Sequence, residues 1–302
     1  MHRALAFVLL LLGLAACASA PDPPGTLAKG CQRERRADLR LQTSRNFLLA
    51  PVTLNGHAAL MVVDTGAEVT TITPEAAAAL RLPRDPHHGS VFLGVSGPTR
   101  AENVRLDHLA LGRIERHDLS LGLGAMPPFP GLSPPVAGLL GTDVLAGYEV
   151  ELDLPDRRMA LYAPGSCGGA PPWAANTAVR LDRTRSGLVF VNAVVDGRRV
   201  RALLDTGART TLLARETAQT IGITEEAMAR DPQRRGFGIG LAAISIRSHR
   251  FDELGLPGAM AYNVSANIAD LHLPGVEMLL GADYLGPRKT WISYTTGRLF
   301  LR

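Results

Sequence analysis

The chain has little of what many functional classes require. Cysteine occurs three times in 302 residues, in none of the spacings of a zinc finger. None of the eight histidines falls in an H-E-x-x-H or comparable ligand array, so no metal and no other cofactor is expected. Aromatic residues make up 5% of the chain and are not interleaved with its scattered basic residues; with a net charge of only +4, the composition offers no nucleic-acid surface. A nucleophile elbow is absent, because Val95-Ser96-Gly97 fails the G-x-S-x-G spacing, and Gly236-x-Gly238-x-Gly240 lacks the rest of a phosphate-binding fingerprint. Helical periodicity is scarce. The apolar run Ala4 to Ala16 has 13 residues, too few for a bilayer span of about 20.

That run, with His2 and Arg3 ahead of it, has the layout of a secretory signal over residues 1–16. Leu14-Ala15-Ala16-Cys17 resembles the lipobox of bacterial lipoproteins. The resemblance implies lipidation of Cys17, a membrane anchor, and export to the periplasmic face of the outer membrane. The rival site, Ala18-Ser19-Ala20, would release a soluble protein instead. Residues 17–44 read as a lipidated tether and N-terminal extension, with Pro, Ala and Gly concentrated in 18–30. In a compartment that permits disulfides, the two remaining cysteines, Cys31 and Cys167, are expected to pair.

What the chain does have is a repeat. Asp64-Thr65-Gly66-Ala67 returns 141 residues later as Asp205-Thr206-Gly207-Ala208. Each motif ends an apolar run, and each run is preceded by a hairpin turn, Asn55-Gly56 or Asp196-Gly197. Downstream, Leu139-Leu140-Gly141 is mirrored by Leu279-Leu280-Gly281. Units this long are domains, so the sequence predicts two lobes, 45–163 and 180–302, related by a pseudo-twofold axis and joined by a Gly- and Pro-rich linker over 164–179.

Short apolar or alternating runs punctuated by Gly and Pro make both lobes mostly β. In the first lobe strands are expected near 46–54, 58–64, 69–73, 90–95, 102–111, 114–122, 149–154 and 158–162. Helices are few and short: 74–80 behind an N-capping Thr73, its counterpart at 215–221, and one after each Leu-Leu-Gly, at 142–147 and 282–286. Asp143 and Asp283 are read as N-terminal charges on the last two.

An ionised Asp at the end of an apolar run is costly unless it is paired or used. Two carboxyls forced close together cannot both ionise, so they share a proton and one serves as base while the other serves as acid. Gly66 and Gly207 let the backbone turn at the tip of each loop. Thr65 and Thr206 offer hydroxyls to lock the loops across the axis.

On these motifs and the paired Leu-Leu-Gly segments, the sequence resembles the aspartic protease superfamily of retropepsin-like and pepsin-like enzymes, over about 45–162 and 180–302. The resemblance implies a fused pair of retropepsin-like β-barrel lobes and a monomer whose dimer is intramolecular. It also implies Asp64 and Asp205 as catalytic dyad, the two threonines as interlocking hydroxyls, and the strands ending at Gly141 and Gly281 as supports behind the active loops. Peptide bonds in a peptide or protein substrate would be hydrolysed by activated water. The rival reading is a non-catalytic peptide- or glycan-binding envelope lipoprotein on the same scaffold. Pepsin-like enzymes usually carry Ser or Thr after the Gly, where this chain has Ala67 and Ala208; losing that hydroxyl makes the pair less acidic and predicts activity at weakly acidic pH. Glycine-rich hairpins around Gly94 and Gly238 are the candidate flaps.

Overall fold

The computed structural model describes residues 31–238 and 243–302. The signal segment 1–16, Cys17, the Pro-rich stretch 18–30 and Gly240 of the second glycine-rich hairpin lie outside the described residues.

The repeat in the sequence is a repeat in topology. In the first lobe an eight-stranded sheet runs in the order Gln42–Ser44, Phe47–Leu54, His57–Val63, Val136–Leu140, Thr71–Ile72, Ile114–Leu123, Gly97–Leu111, Arg84–Gly94. Phe47–Leu54 also pairs with Gly97–Leu111. In the second lobe the order is Asp182–Arg183, Val189–Val195, Arg198–Leu204, Met278–Leu280, Leu212–Ala214, Ala259–Ala269, Ala243–Leu256, Gln233–Phe237, with the matching extra pairing of Val189–Val195 to Ala243–Leu256. The two predicted turns sit where expected, with Asn55, Gly56, Asp196 and Gly197 all at positive φ. The apolar strands before each Asp are buried on both faces, because alternate residues enter different apolar clusters, Met61 and Val63 one and Leu60 and Val62 another; each strand runs parallel to a Leu-Leu-Gly strand, Leu60 to Val63 beside Val136 to Leu140 and Ala202 to Leu204 beside Met278 to Leu280.

The helices are short, as predicted: Pro74–Ala79 capped by Thr73, Arg215–Thr220, Thr142–Leu145 and Ala282–Leu285. One more, Glu225–Arg230, was not anticipated, although Thr224 caps it by accepting from the Ala227 N–H at 3.2 Å. No described helix is long and apolar enough to cross a membrane.

Three departures from the sequence reading concern how the pieces join. The closing hairpins of the two lobes form one sheet. Glu149–Asp153 pairs antiparallel with Lys289–Ser293, Val150 opposite Ile292, at the centre of a six-stranded sheet shared by both repeats. Segment 17–44 is more than an extension, since Arg35–Arg40 forms an edge strand of that shared sheet against Arg158–Tyr162, and Gln42–Ser44 begins the first lobe's sheet. The linker 164–179 likewise ends in a strand, Thr177–Arg180, on the opposite edge. Cys31 and Cys167 are disulfide-bonded, Cα to Cα 5.6 Å, which ties the start of the described chain to the inter-lobe segment.

The shared sheet also buries charge. Glu149, Glu151 and Asp153 are all buried. Lys289 reaches Glu151 Oε1 at 2.8 Å and Asp153 Oδ2 at 2.7 Å, while Glu151 accepts further bonds from Trp173 Nε1 at 2.9 Å and the Tyr162 hydroxyl at 2.8 Å. A buried carboxylate persists only with such partners.

Candidate active site

Asp64 and Asp205 leave the ends of their strands at the seam between the lobes. The N–H of Asp64 bonds the Leu140 carbonyl at 3.0 Å, and that of Asp205 bonds Leu280 at 3.1 Å, so each loop hangs from its Leu-Leu-Gly strand. The next residues bind the loops to each other. Thr65 N–H donates to Thr206 Oγ1 at 3.1 Å and Thr206 N–H donates to Thr65 Oγ1 at 3.1 Å. Each hydroxyl then donates across the seam, Thr65 to the Leu204 carbonyl and Thr206 to the Val63 carbonyl, both at 2.7 Å. Both threonines are fully buried. Reciprocal contacts of this kind are what a twofold axis generates.

The glycines that follow set the distance between the carboxyls. A Cβ on Gly66 would lie 2.5 Å from Asp205 Cγ, and one on Gly207 would lie 2.3 Å from Asp64 Cγ. Each acid therefore rests on the other loop's glycine, face to face with its counterpart. Gly66 N–H donates to Asp64 Oδ1 at 2.9 Å, and Ala208 N–H to Asp205 Oδ1 at 2.9 Å. Each Asp is half-buried, so protein surrounds it without sealing it off. Burial, the charge of Asp205 and a hydrogen bond to it push the Asp64 carboxyl well above the ordinary carboxylate range. Burial raises Asp205 as well, against backbone N–H groups and a bond to Asp64 that favour its charged form. The pair holds a proton at pH values where an isolated Asp has lost it.

Either Gly66→Ala or Gly207→Ala is expected to push the facing carboxyl out of place and slow any reaction that needs both carboxyls by about 100-fold, the usual consequence of misplacing a reacting group by about 1 Å. Circular dichroism and kcat on the same preparations check this, with an unchanged fold expected.

Ala67 and Ala208 close the loops, their carbonyls accepting from the Thr142 and Ala282 N–H groups, both at 2.8 Å. Gly141 and Gly281 pass directly behind, where a Cβ would lie 2.6 Å from the carbonyl carbon of Val69 and of Thr210 respectively. Asp143 and Asp283 do stand in the first turns of their helices, but their carboxylates are clamps on the loop ends. Asp143 Oδ1 accepts from Thr70 N at 2.9 Å and Thr70 Oγ1 at 2.7 Å, and Thr70 Oγ1 in turn accepts from Gly141 N. Asp283, Thr211 and Gly281 repeat the arrangement. The sequence signal for this is the near-equal spacing of Thr70 to Asp143, 73 residues, and Thr211 to Asp283, 72 residues.

The site is not symmetric at its rim. Glu68 accepts from Ser186 Oγ of the second lobe at 2.6 Å, whereas Arg209 of the second lobe donates from Nε to the Arg45 carbonyl of the first at 2.5 Å and lies over the Phe47 ring. Arg84–Gly94 and Gly97–Leu111 form a hairpin that turns at Val95-Ser96. Its tip reaches the second lobe: Val95 packs on the apolar cluster around Phe190, Leu203 and Ile244, and its carbonyl accepts from His272 N–H at 3.1 Å. Gly238, at the end of the second hairpin, faces it closely, since a Cβ there would lie 2.6 Å from Val95 Cγ2. Gly94 and Gly238 thus stand at two hairpin ends that meet. The Pro-rich loop 127–135 packs Phe129 and Leu132 with Phe47 and Ala67, beside the Asp64 loop.

The family model for aspartyl proteases matches the chain twice, over residues 50–144 and 191–284, one match in each lobe and each containing one Asp-Thr-Gly-Ala loop. No curated protein is similar enough to match.

Proposed function

The chain belongs to the aspartyl protease family, and from that membership we propose that it is an aspartic endopeptidase in which Asp64 and Asp205 activate water against a peptide bond. The observation that carries this reading is the packing of each carboxyl on the other loop's glycine, which brings together two acids that their surroundings hold above the ordinary carboxylate range. Water held between the carboxyls loses a proton to the ionised one as its oxygen attacks the carbonyl carbon, and the protonated one donates to the carbonyl oxygen. The tetrahedral intermediate collapses as the C–N bond breaks: the amine leaves with the proton that the first carboxyl took from water, and a hydroxyl of the intermediate returns its proton to the other, now ionised, carboxylate as the product carbonyl forms. Both carboxyls exchange roles without net change. The meeting hairpins around Gly94 and Gly238 act as flaps that exclude bulk water during the reaction and must part to admit an extended peptide.

The chain works as a monomer, because both halves of the site come from one polypeptide. The N-terminal sequence supports export, with residues 1–16 removed and Cys17 lipidated at the periplasmic face of the outer membrane.

The test is incubation of the purified protein with a proteome-derived peptide mixture between about pH 3 and pH 7, read by mass spectrometry. Internal cleavages are expected, and a peptide carrying a tetrahedral hydroxyl-bearing carbon in place of the scissile carbonyl is expected to block them. The absence of cleavage at every pH would refute the reading. The rate is expected to peak at weakly acidic pH, because the raised carboxyls keep the singly protonated state populated above the ordinary carboxylate range. An optimum near about pH 2 would contradict that cause.

A further inference from the structure

We propose that His108, Glu115 and His117 form a binding site for a divalent transition-metal ion of the zinc and copper group on the outer part of the first lobe. Strand register brings them together. His108 on Gly97–Leu111 stands directly opposite His117 on Ile114–Leu123, and Glu115 lies two residues from His117 on the same face. The backbone of His108 is engaged on its other side, its N–H donating to Asn55 Oδ1 and its carbonyl accepting from Asn55 N–H, both at 2.9 Å. The His108–His117 pair is therefore of the non-hydrogen-bonded kind, in which facing side chains approach most closely.

The side chains use that closeness. The two imidazoles stack with centroids 4.7 Å apart and planes 17° from parallel, and Glu115 Oε2 lies 3.7 Å from His117 Nε2. Ligand atoms from all three residues fall within 4.8 Å of one another, the one such group of three among the described residues. His108 Nε2 is buried and has no hydrogen-bond partner, a shortfall that a bound ligand relieves. Two imidazoles and a carboxylate are the donors that zinc, copper and nickel favour, at about 2.0–2.2 Å, and rotation of the exposed His117 and Glu115 side chains closes the remaining distance. Water would complete the coordination. No linear ligand spacing announces the site, because its two histidines are joined by cross-strand pairing.

The site is remote from the aspartates. Asn55 lies at the far end of strand His57–Val63 from Asp64, and seven extended residues span roughly 23 Å. A bound ion would cross-link the hairpin that carries the first flap strand without touching the dyad.

Full-length protein carrying no polyhistidine tag is titrated with zinc chloride by calorimetry and with copper sulfate by electron paramagnetic resonance. One zinc per chain and a copper spectrum with two nitrogen ligands are expected. His117→Ala is expected to weaken zinc binding by at least about tenfold, since even groups that only orient a ligand cost that much. Glu115→Gln is expected to weaken it less, and His87→Ala, at an exposed histidine elsewhere, to leave it unchanged. Wild-type melting temperature should rise with zinc and that of His117→Ala should not. His117 is exposed, so its variant keeps the fold. Absence of stoichiometric binding to wild type, or undiminished binding to His117→Ala, would overturn the proposal. Peptide hydrolysis plays no part in either readout.

Discussion

Asp64→Asn and Asp205→Asn are each expected to lower kcat by at least about 1,000-fold, because each removes one of the two groups that pass protons in the proposed reaction, and a positioned acid or base contributes roughly 100- to 10,000-fold. Two features make the pair behave as a unit. The hydroxyls of Thr65 and Thr206 fix the loops rigidly, and the glycines bring each carboxyl onto the opposite loop. Removing either Asp leaves the other without a partner to share its proton, so the two variants should fail equally.

The same substitutions are expected to stabilise the fold at neutral pH. Both carboxyls have folded-state pKa values raised above the ordinary 3.8, mainly by burial. A raised carboxyl favours the folded state fully only below about 3.8, and that contribution is lost as pH rises through its folded value. At pH 7 the native pair carries charge that burial opposes, whereas Asn is neutral. Melting temperatures of the variants should therefore exceed wild type at pH 7, and the difference should vanish as the pH falls below about 3.8. A variant that loses both activity and stability at pH 7 would show that the aspartates are structural.

Lys289→Met carries the second large effect, this time on stability. Lys289 is one of only two lysines in the chain. Burial works against its charge, but the hydrogen bonds and charges of Asp153 and Glu151 hold its ammonium above the usual lysine range. Deleting the cation leaves two buried carboxylates side by side on one strand of the sheet that unites the repeats. Removing one partner of such a cluster costs about 3 kcal/mol, the lower end of the usual range because Lys289 keeps some contact with solvent, and lowers the melting temperature by on the order of 10 °C. Lys289→Arg should retain most of the stability. The deficit of Lys289→Met should shrink in acid, since the unpaired carboxylates acquire raised pKa values and regain neutrality as the pH falls. Thermal melts at pH 7 and pH 4.5 separate this cause from simple loss of packing, which would be the same at both.

Local signals in the sequence are legible where the fold obeys local rules. The turns at Asn55-Gly56 and Asp196-Gly197, the strands leading to each Asp and the capped helix at Pro74 follow from turn chemistry and periodicity, and the structure has them within a residue or two. Strand Arg84–Gly94 begins six residues earlier than its apolar run at 90 suggests. A bulge between Asp85 and Gly89 absorbs Pro86, His87 and His88, which otherwise break the strand pattern. What escaped was pairing between distant segments. Arg35–Arg40 has little apolar character because it is an edge strand. Glu149, Glu151 and Asp153 alternate along one strand, yet only the facing hairpin supplies Lys289. Likewise the histidine pair at 108 and 117 exists only through register.

The candidate site was legible in proportion to its symmetry. Asp64, Thr65 and Gly66 with their copies stand out because the repeat writes them twice, and Asp143 and Asp283 stand in the first turns of their helices as their positions suggest, while their bonds to Thr70 and Thr211 exist only through packing. The rim residues Glu68 and Arg209 differ between repeats, and their partners, Ser186 and Arg45, are known only from the packed lobes.

The most direct measurement of the central claim is a pH titration of the protein labelled with ¹³C at aspartate Cγ, compared with the same titration of Asp64→Asn and Asp205→Asn. Two carboxyls sharing one proton should lose their protons in two well-separated steps, the later one above the ordinary carboxylate range, and each variant should collapse these to a single step. Independent titration of Asp64 and Asp205 near 3.8, unaltered in the variants, would contradict a shared proton and with it the proposed activation of water.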